Sequence, residues 1–231
     1  MNCQPVAIVL SGCGVNDGVE ITEAVGVVLA LSQAGIPYEF FAPDREQMHV
    51  VDHLTGKVSA ETRNILHESA RIARGKIRPL GELDMLGHSA LLFPGGFGAA
   101  KNLTTFAADG INAHLYHDIK TAALACIAAQ KPLVALCAAP LVQGLAAQAA
   151  GLRDVRITFG SYAEGRDLAD AIVAWGQQHI ETPVDQACVD EAHRFVSAPA
   201  YMYANATPAE VFASCRAAVA ALQTLLEPTQ Q

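Results

Sequence analysis

Pro132-Leu133-Val134-Ala135-Leu136-Cys137-Ala138-Ala139-Pro140 is the stretch that decides the fold. Pro132–Leu136 is apolar at every position, which marks a strand buried on both faces rather than a half-exposed one. Leu141–Ala150 then reads as a helix, so Cys137 stands where strand turns into helix. The small residues on both sides of it suit a sharp strand–nucleophile–helix turn, where side chains crowd. Helix N-terminal amides aimed at the sulfur would lower the thiol from ~8.5 toward ~3.5–7.5. The same residues also fit a plain cysteine that ends a core strand.

Outward from this stretch, strands and helices alternate. Val6–Leu10, Tyr38–Ala42 and Ser89–Phe93 read as strands, with Val155–Phe159 and Ile180–Val184 as further ones. Helices are expected over Ile21–Ala34, Glu61–Arg74, Asn112–Gln130, Leu168–His179 and Pro208–Leu226, the last with Pro in its first turn. His49–Val58 reads as irregular or a short ribbon, Ala187–Ser197 as a hairpin turning near Asp190-Glu191, and Glu227–Gln231 as a tail. This alternation predicts an α/β fold with a mostly parallel sheet covered on both sides, in a single domain over 1–231. Ligands of such sheets bind beyond the carboxyl ends of the strands. Three of those ends carry unusual residues: Gly12-Cys13-Gly14, Gly95-Gly96-Phe97-Gly98 and Cys137-Ala138-Ala139-Pro140.

Composition narrows the function. Of 231 residues, 52% are hydrophobic and only 16% charged, against about 25% in an average soluble domain, so the chain is no disordered protein. A net charge of −8 disfavours nucleic acid and anionic membranes as partners. The longest apolar runs, such as Val25–Leu31, fall far short of the ~20 residues of a bilayer span, and no signal-peptide pattern opens the chain, so the expected compartment is the cytoplasm. The six cysteines (Cys3, Cys13, Cys126, Cys137, Cys188, Cys215) form no CxxC pair and no zinc-spaced cluster, and no metal is expected.

The remaining candidates each have two readings. Gly95-Gly96-Phe97-Gly98 follows a strand and could expose amides for an oxyanion hole, or could be a turn. It is neither a P-loop nor G-x-G-x-x-G. Glu23 could face the strand ends and, desolvated beside a thiol, act as general acid/base. Glu20 lies on nearly the same helix face, and either acid also suits a helix N-terminus. Cys13 could be a resolving thiol or a residue lining the site. His114 and His117 are read as a solvated helix face rather than a metal site, and Asp190, Glu191 and His193 as hairpin-turn polarity.

The whole pattern resembles a known family. Its marks are Ser11-Gly12-Cys13-Gly14, Asp17-Gly18, Glu20-Ile21-Thr22-Glu23-Ala24-Val25, Pro94 to Leu103 (PGGFGAAKNL), Leu136-Cys137-Ala138-Ala139-Pro140 and Pro199-Ala200-Tyr201-Met202. Over nearly its whole length the chain resembles the ElbB-type proteins of the ThiJ/PfpI superfamily, the branch linked to isoprenoid biosynthesis. The resemblance implies a flavodoxin-like, class I glutamine amidotransferase-like sandwich that forms a homodimer. It implies a cysteine nucleophile at Cys137, a glutamate at Glu23 in preference to Glu20, and amides at Gly96 and Ala138 for the oxyanion. It also implies a cofactor-independent glyoxalase that converts glyoxal to glycolate, an activity also argued to reflect protein deglycation. Two departures tell against protease and glutaminase chemistry: Ala138 stands where many members carry His, and Ala135 and Ala139 replace the glycines of G-x-C-x-G. A cysteine-based redox or stress sensor, or a regulator linked to isoprenoid metabolism, is the competing expectation.

Overall fold

The computed structural model describes residues 4–227. Cys3 and the end of the tail, from Pro228, lie outside the described residues. In chain order the elements are β1 (Val6–Val9), α1 (Ile21–Gln33), β2 (Tyr38–Ala42), β3 (Val51–Asp52), β4 (Lys57–Val58), α2 (Ile65–Ile72), β5 (Ile77–Pro79), β6 (Ala90–Phe93), α3 (Phe106–Asp109), α4 (His117–Ala128), β7 (Leu133–Leu136), α5 (Pro140–Ala149), β8 (Arg156–Ile157), α6 (Tyr162–Ala174), β9 (Gln178–His179), β10 (Cys188–Asp190), β11 (Phe195–Ala198) and α7 (Pro208–Leu226).

Seven strands form the main sheet in the order β10-β11-β7-β6-β1-β2-β5, parallel except for β10. Strand alternation divides the core. Val6, Ile8, Leu92, Val134 and Leu136 pack under α1 and α7 on one face. Ala7, Val9, Leu91, Phe93, Leu133 and Ala135 pack under α4, α5 and α6 on the other. Every residue of β1, β6 and β7 is buried, which is why these strands read as unbroken apolar runs. From β1 the chain first runs outward to β2 and then returns to β6 on the opposite side. The β1/β6 junction is therefore the switch point of the sheet, where a cleft opens.

The structure corrects several boundaries. The edge strand β5 was not anticipated, because Ile77-Arg78-Pro79 is short and half polar. The Glu61–Arg74 helix starts only at Ile65, where Asn64 caps it through the His67 amide. Most of the front of the Asn112–Gln130 helix is irregular, and α4 begins at His117. The helix expected over Leu168–His179 begins at Tyr162, and its early Gly165 packs against the Phe159 carbonyl instead of breaking it. The expected strand Val155–Phe159 shrinks to β8, and its partner β9 falls at Gln178–His179, where the helix is expected to end, so that Ile180–Val184 forms no strand. Among the described helices, α7 is long and apolar enough to cross a bilayer by length and composition. Its buried residues, Val211, Ser214, Cys215, Ala218, Val219 and Leu222, recur at helical spacing and face α1 and the sheet.

Candidate active site

Cys137 occupies the turn between β7 and α5 with φ +57°, a left-handed conformation that costs a non-glycine residue about 1–3 kcal/mol. Its amide donates to Ala198 O of β11 at 2.9 Å, so the neighbouring strand fixes the elbow. The next turn closes through Ala139 N–H to Leu136 O, and Pro140 opens α5 where no amide is needed. Only 7% of Cys137 is exposed, and the amides of Gly96 and Ala138 reach its sulfur.

Glu23, in the first turn of α1, is fully buried and hydrogen-bonds the Cys137 thiol. Its carboxyl is held from both sides. Gly95 N–H donates to Oε2 at 2.9 Å, and Tyr201 N–H donates to Oε1 at 3.2 Å. Burial first, and then the charge of Glu20, push Glu23 up to about 8, so it holds a proton at neutral pH. Burial and the charge of Glu23 likewise push the Cys137 thiol up, while the Gly96 and Ala138 amides pull it down. The expected low thiol pKa is thus overturned: the helix start is present, but desolvation and a neighbouring acid outweigh it. Cys137 and Glu23 titrate as one coupled pair.

Glycine is required beside this pair. A Cβ on Gly95 would lie 2.3 Å from Cys137 Cβ and 2.5 Å from Glu23 Oε2. One on Gly96, whose φ is +98°, would meet Glu20 N at 2.4 Å. The rest of the PGGFGAAKNL run ties this loop down. Gly98 packs on Gly18, and Asn102 donates to Ser11 O at 2.9 Å and to Asp17 O at 2.8 Å.

Two of the anticipated residues do not join the pair. Glu20 is the N-cap of α1, its side chain accepting from Glu23 N–H at 2.7 Å; it touches the site through its own N–H, which donates to Gly95 O at 2.9 Å, and through its charge. Cys13 faces Glu68, Arg71 and Asp17 and does not line the pocket over Cys137. Its flanking glycines serve packing: a Cβ on Gly14 would strike the His53 ring at 2.6 Å. Gly95 and Tyr201 are the functional residues that sequence reasoning did not assign. Both act through backbone amides, which leave no side-chain signal.

A pocket of about 610 Å³ opens over Cys137. Gly96 and Ala138 form its floor with Cys137, Val15, Phe97, Phe106 and Met202 are among its apolar walls, and Glu164, Arg166 and Asp167 of α6 line one side. No histidine is among its lining residues. A groove of about 780 Å³ at the β5 edge is larger but has neither a thiol nor a buried acid in its walls. Among the described residues no cluster of metal-ligating side chains occurs, and His117 opens α4 while His114 precedes it.

No family model matches the chain. Human "Glutamine amidotransferase-like class 1 domain-containing protein 3, mitochondrial" is 46% identical over 204 residues, covering 85% of this chain and 74% of that protein. The rat "ES1 protein homolog, mitochondrial" is 45% identical over 204 residues, with 85% and 75% covered. The chain belongs to the ES1 family. A solved structure, described as an isoprenoid biosynthesis protein with an amidotransferase-like domain from Ehrlichia chaffeensis, superposes with a TM-score of 0.89 at 32% identity, covering 97% of this chain and all of that one. A ThiJ/PfpI domain protein from Brachyspira murdochii, 14% identical with a TM-score of 0.58, shares the fold. The ThiJ/PfpI-type, amidotransferase-like sandwich expected from the sequence is therefore shown.

Proposed function

We propose that this chain is a cofactor-independent glyoxalase that converts glyoxal to glycolate, with Cys137 as nucleophile and Glu23 as general acid/base. The observation that carries this reading is the buried Cys137–Glu23 pair under a pocket, with two amides on the sulfur. Ionised Glu23 takes the thiol proton as the sulfur adds to one aldehyde carbon and hands it to the new alkoxide oxygen, giving a hemithioacetal and leaving Glu23 ionised again. The Gly96 and Ala138 amides stand where charge develops. Glu23 then moves the carbon-bound proton through an enediol: the sulfur-bearing carbon is oxidised to a thioester, and the other carbon is reduced to a hydroxymethyl group. Water cleaves the thioester to glycolate and restores the thiol. Water is the only co-reactant, and the atoms balance as glyoxal plus water to glycolic acid.

A second reading, removal of dicarbonyl adducts from protein side chains, is favoured by the pocket, whose 610 Å³ far exceeds the room that a two-carbon substrate fills. A redox or stress sensor, or an isoprenoid-linked regulator, is the weaker alternative. Sensor cysteines work as accessible thiolates, whereas Cys137 is buried with a raised pKa. Glutaminase and protease chemistry lacks a histidine in the pocket.

We also propose a cytoplasmic homodimer. The outer face of α1 presents Ile21, Val25 and Leu29, one helical turn apart and each about half exposed, with no charged residue among them. On a chain of net charge −8, this uncharged face is where two copies approach without repulsion. Val25→Glu is expected to give a monomer by sedimentation analysis, and an unchanged dimer refutes this surface.

The activity is tested by incubating the purified protein with glyoxal, without glutathione, and quantifying glycolate. Wild type is expected to form it and Cys137→Ala only the buffer background. Equal yields refute the assignment.

A further inference from the structure

The residues after β11 hold both members of the pair. Ala198 O receives the Cys137 amide, and three residues later the Tyr201 amide reaches Glu23. Between them the chain must bend sharply, and Ala200 takes φ +45° to do so. That conformation disfavours a side chain, so something must hold it. The holder is on α7. Ser214 is fully buried, and its Oγ accepts the Ala200 N–H at 3.0 Å. The adjacent Cys215 packs against Gly26 of α1 and points its sulfur at the Glu23 carbonyl oxygen 3.7 Å away. Consecutive residues of α7 thus hold the Tyr201 turn and the helix that bears Glu23. The ionisable groups around the Glu23 carboxyl are Glu20 at the start of its own helix, Cys137 on the elbow and Cys215 on α7. None is a cation, so the carboxylate form depends on hydrogen bonds, from the Gly95 and Tyr201 amides and from the Cys137 thiol.

We infer that Ser214 is a positioning residue: by holding Ala200 in its left-handed turn it aims the Tyr201 amide at Glu23 and so sets how readily Glu23 ionises. The inference rests on Glu23 as the proton partner of Cys137, not on which substrate the pair handles. Without the hydroxyl the turn relaxes, the Tyr201 amide leaves, and the carboxylate loses one of its two amide donors.

The test is an infrared titration of the protonated carboxyl band, which Glu23→Gln identifies by removing it. Wild type should titrate at about 8. Ser214→Ala should move the midpoint upward by roughly one pH unit, the loss of one hydrogen bond to a charged group. Adding Ala200→Gly should return it, because glycine takes φ +45° without help. A loss of packing alone would not be rescued by removing a further methyl. If Ser214→Ala does not fold, Ser214→Cys, with a weaker acceptor, should shift the midpoint the same way. An unchanged midpoint in the folded variant, or no return with Ala200→Gly, overturns the inference. Because the band needs no turnover, absence of glycolate would refute the proposed activity and leave this result standing.

Discussion

Two thiols stand beyond the carboxyl ends of parallel strands in this protein, Cys13 after β1 and Cys137 after β7. By sequence, Cys137 stands at a strand-to-helix turn, as the candidate nucleophile, and Cys13 stands between two glycines, as a lining residue or resolving thiol. In the structure its glycines accommodate the Gly18 backbone and the His53 ring, and its charged neighbours are Glu68, Arg71 and Asp17. Cys137, between Leu136 and Ala138, bears the strained backbone, the two amides, the buried acid and the pocket. What sets Cys137 apart from Cys13 is what the fold brings to it from the loop after β6, from β11 and from α1, added to the amide of its own neighbour Ala138.

The largest expected effect separates the two directly. Cys137→Ala should abolish glycolate formation, while Cys13→Ala should leave the rate unchanged; loss of turnover in Cys13→Ala would erase the distinction. Glu23→Gln comes next and should remove most of the activity. It also has a signature in stability. Glu23 titrates near 8 in the folded chain against 4.5 when free, so between these values the folded state binds the extra proton. Its contribution is whole below pH 4.5 and is lost as pH rises to about 8, an upper limit of roughly 4–5 kcal/mol. Denaturant unfolding of wild type should show that decline, and Glu23→Gln should flatten it. By the same ionisation, wild-type kcat/KM should rise with pH up to about 8, because only ionised Glu23 accepts the thiol proton. A profile flat from pH 6 to 9 would remove Glu23 from that role.

Smaller effects sharpen the contrast at the glycines. Gly95→Ala drives a Cβ into Cys137 and Glu23 and should cost about 1–3 kcal/mol together with most of the turnover. Gly14→Ala, beside Cys13, meets the movable His53 ring at a φ of +136°. It should lower stability but leave kcat alone, as thermal melts and steady-state rates on the same samples will show.

The central layers were legible because β1, β6 and β7 are buried on both faces and so read as continuous apolar runs. α7 was exact because Thr207, Pro208 and Glu210 form a capped start. β5 was hidden because an edge strand of three residues needs no apolar alternation. At the site, side chains could be named in advance and backbone donors could not. Cys137 is a candidate from its elbow and Glu23 from the family resemblance of its E-I-x-E-A-V run, whereas Tyr201 contributes only an amide whose direction depends on a turn held from α7. Glu20 and Glu23 sit one turn apart, and only three-dimensional packing decides that the first caps the helix and the second enters the core.

The most direct test of the pair is the isotopic composition of glycolate made from glyoxal in D2O by wild type and Cys137→Ala in parallel. When the proton that Glu23 takes from carbon exchanges with solvent at the enediol, through the open pocket, one deuterium is expected on the methylene carbon, from wild type alone. Glycolate without carbon-bound deuterium, or labelled glycolate made equally by Cys137→Ala, would contradict the account.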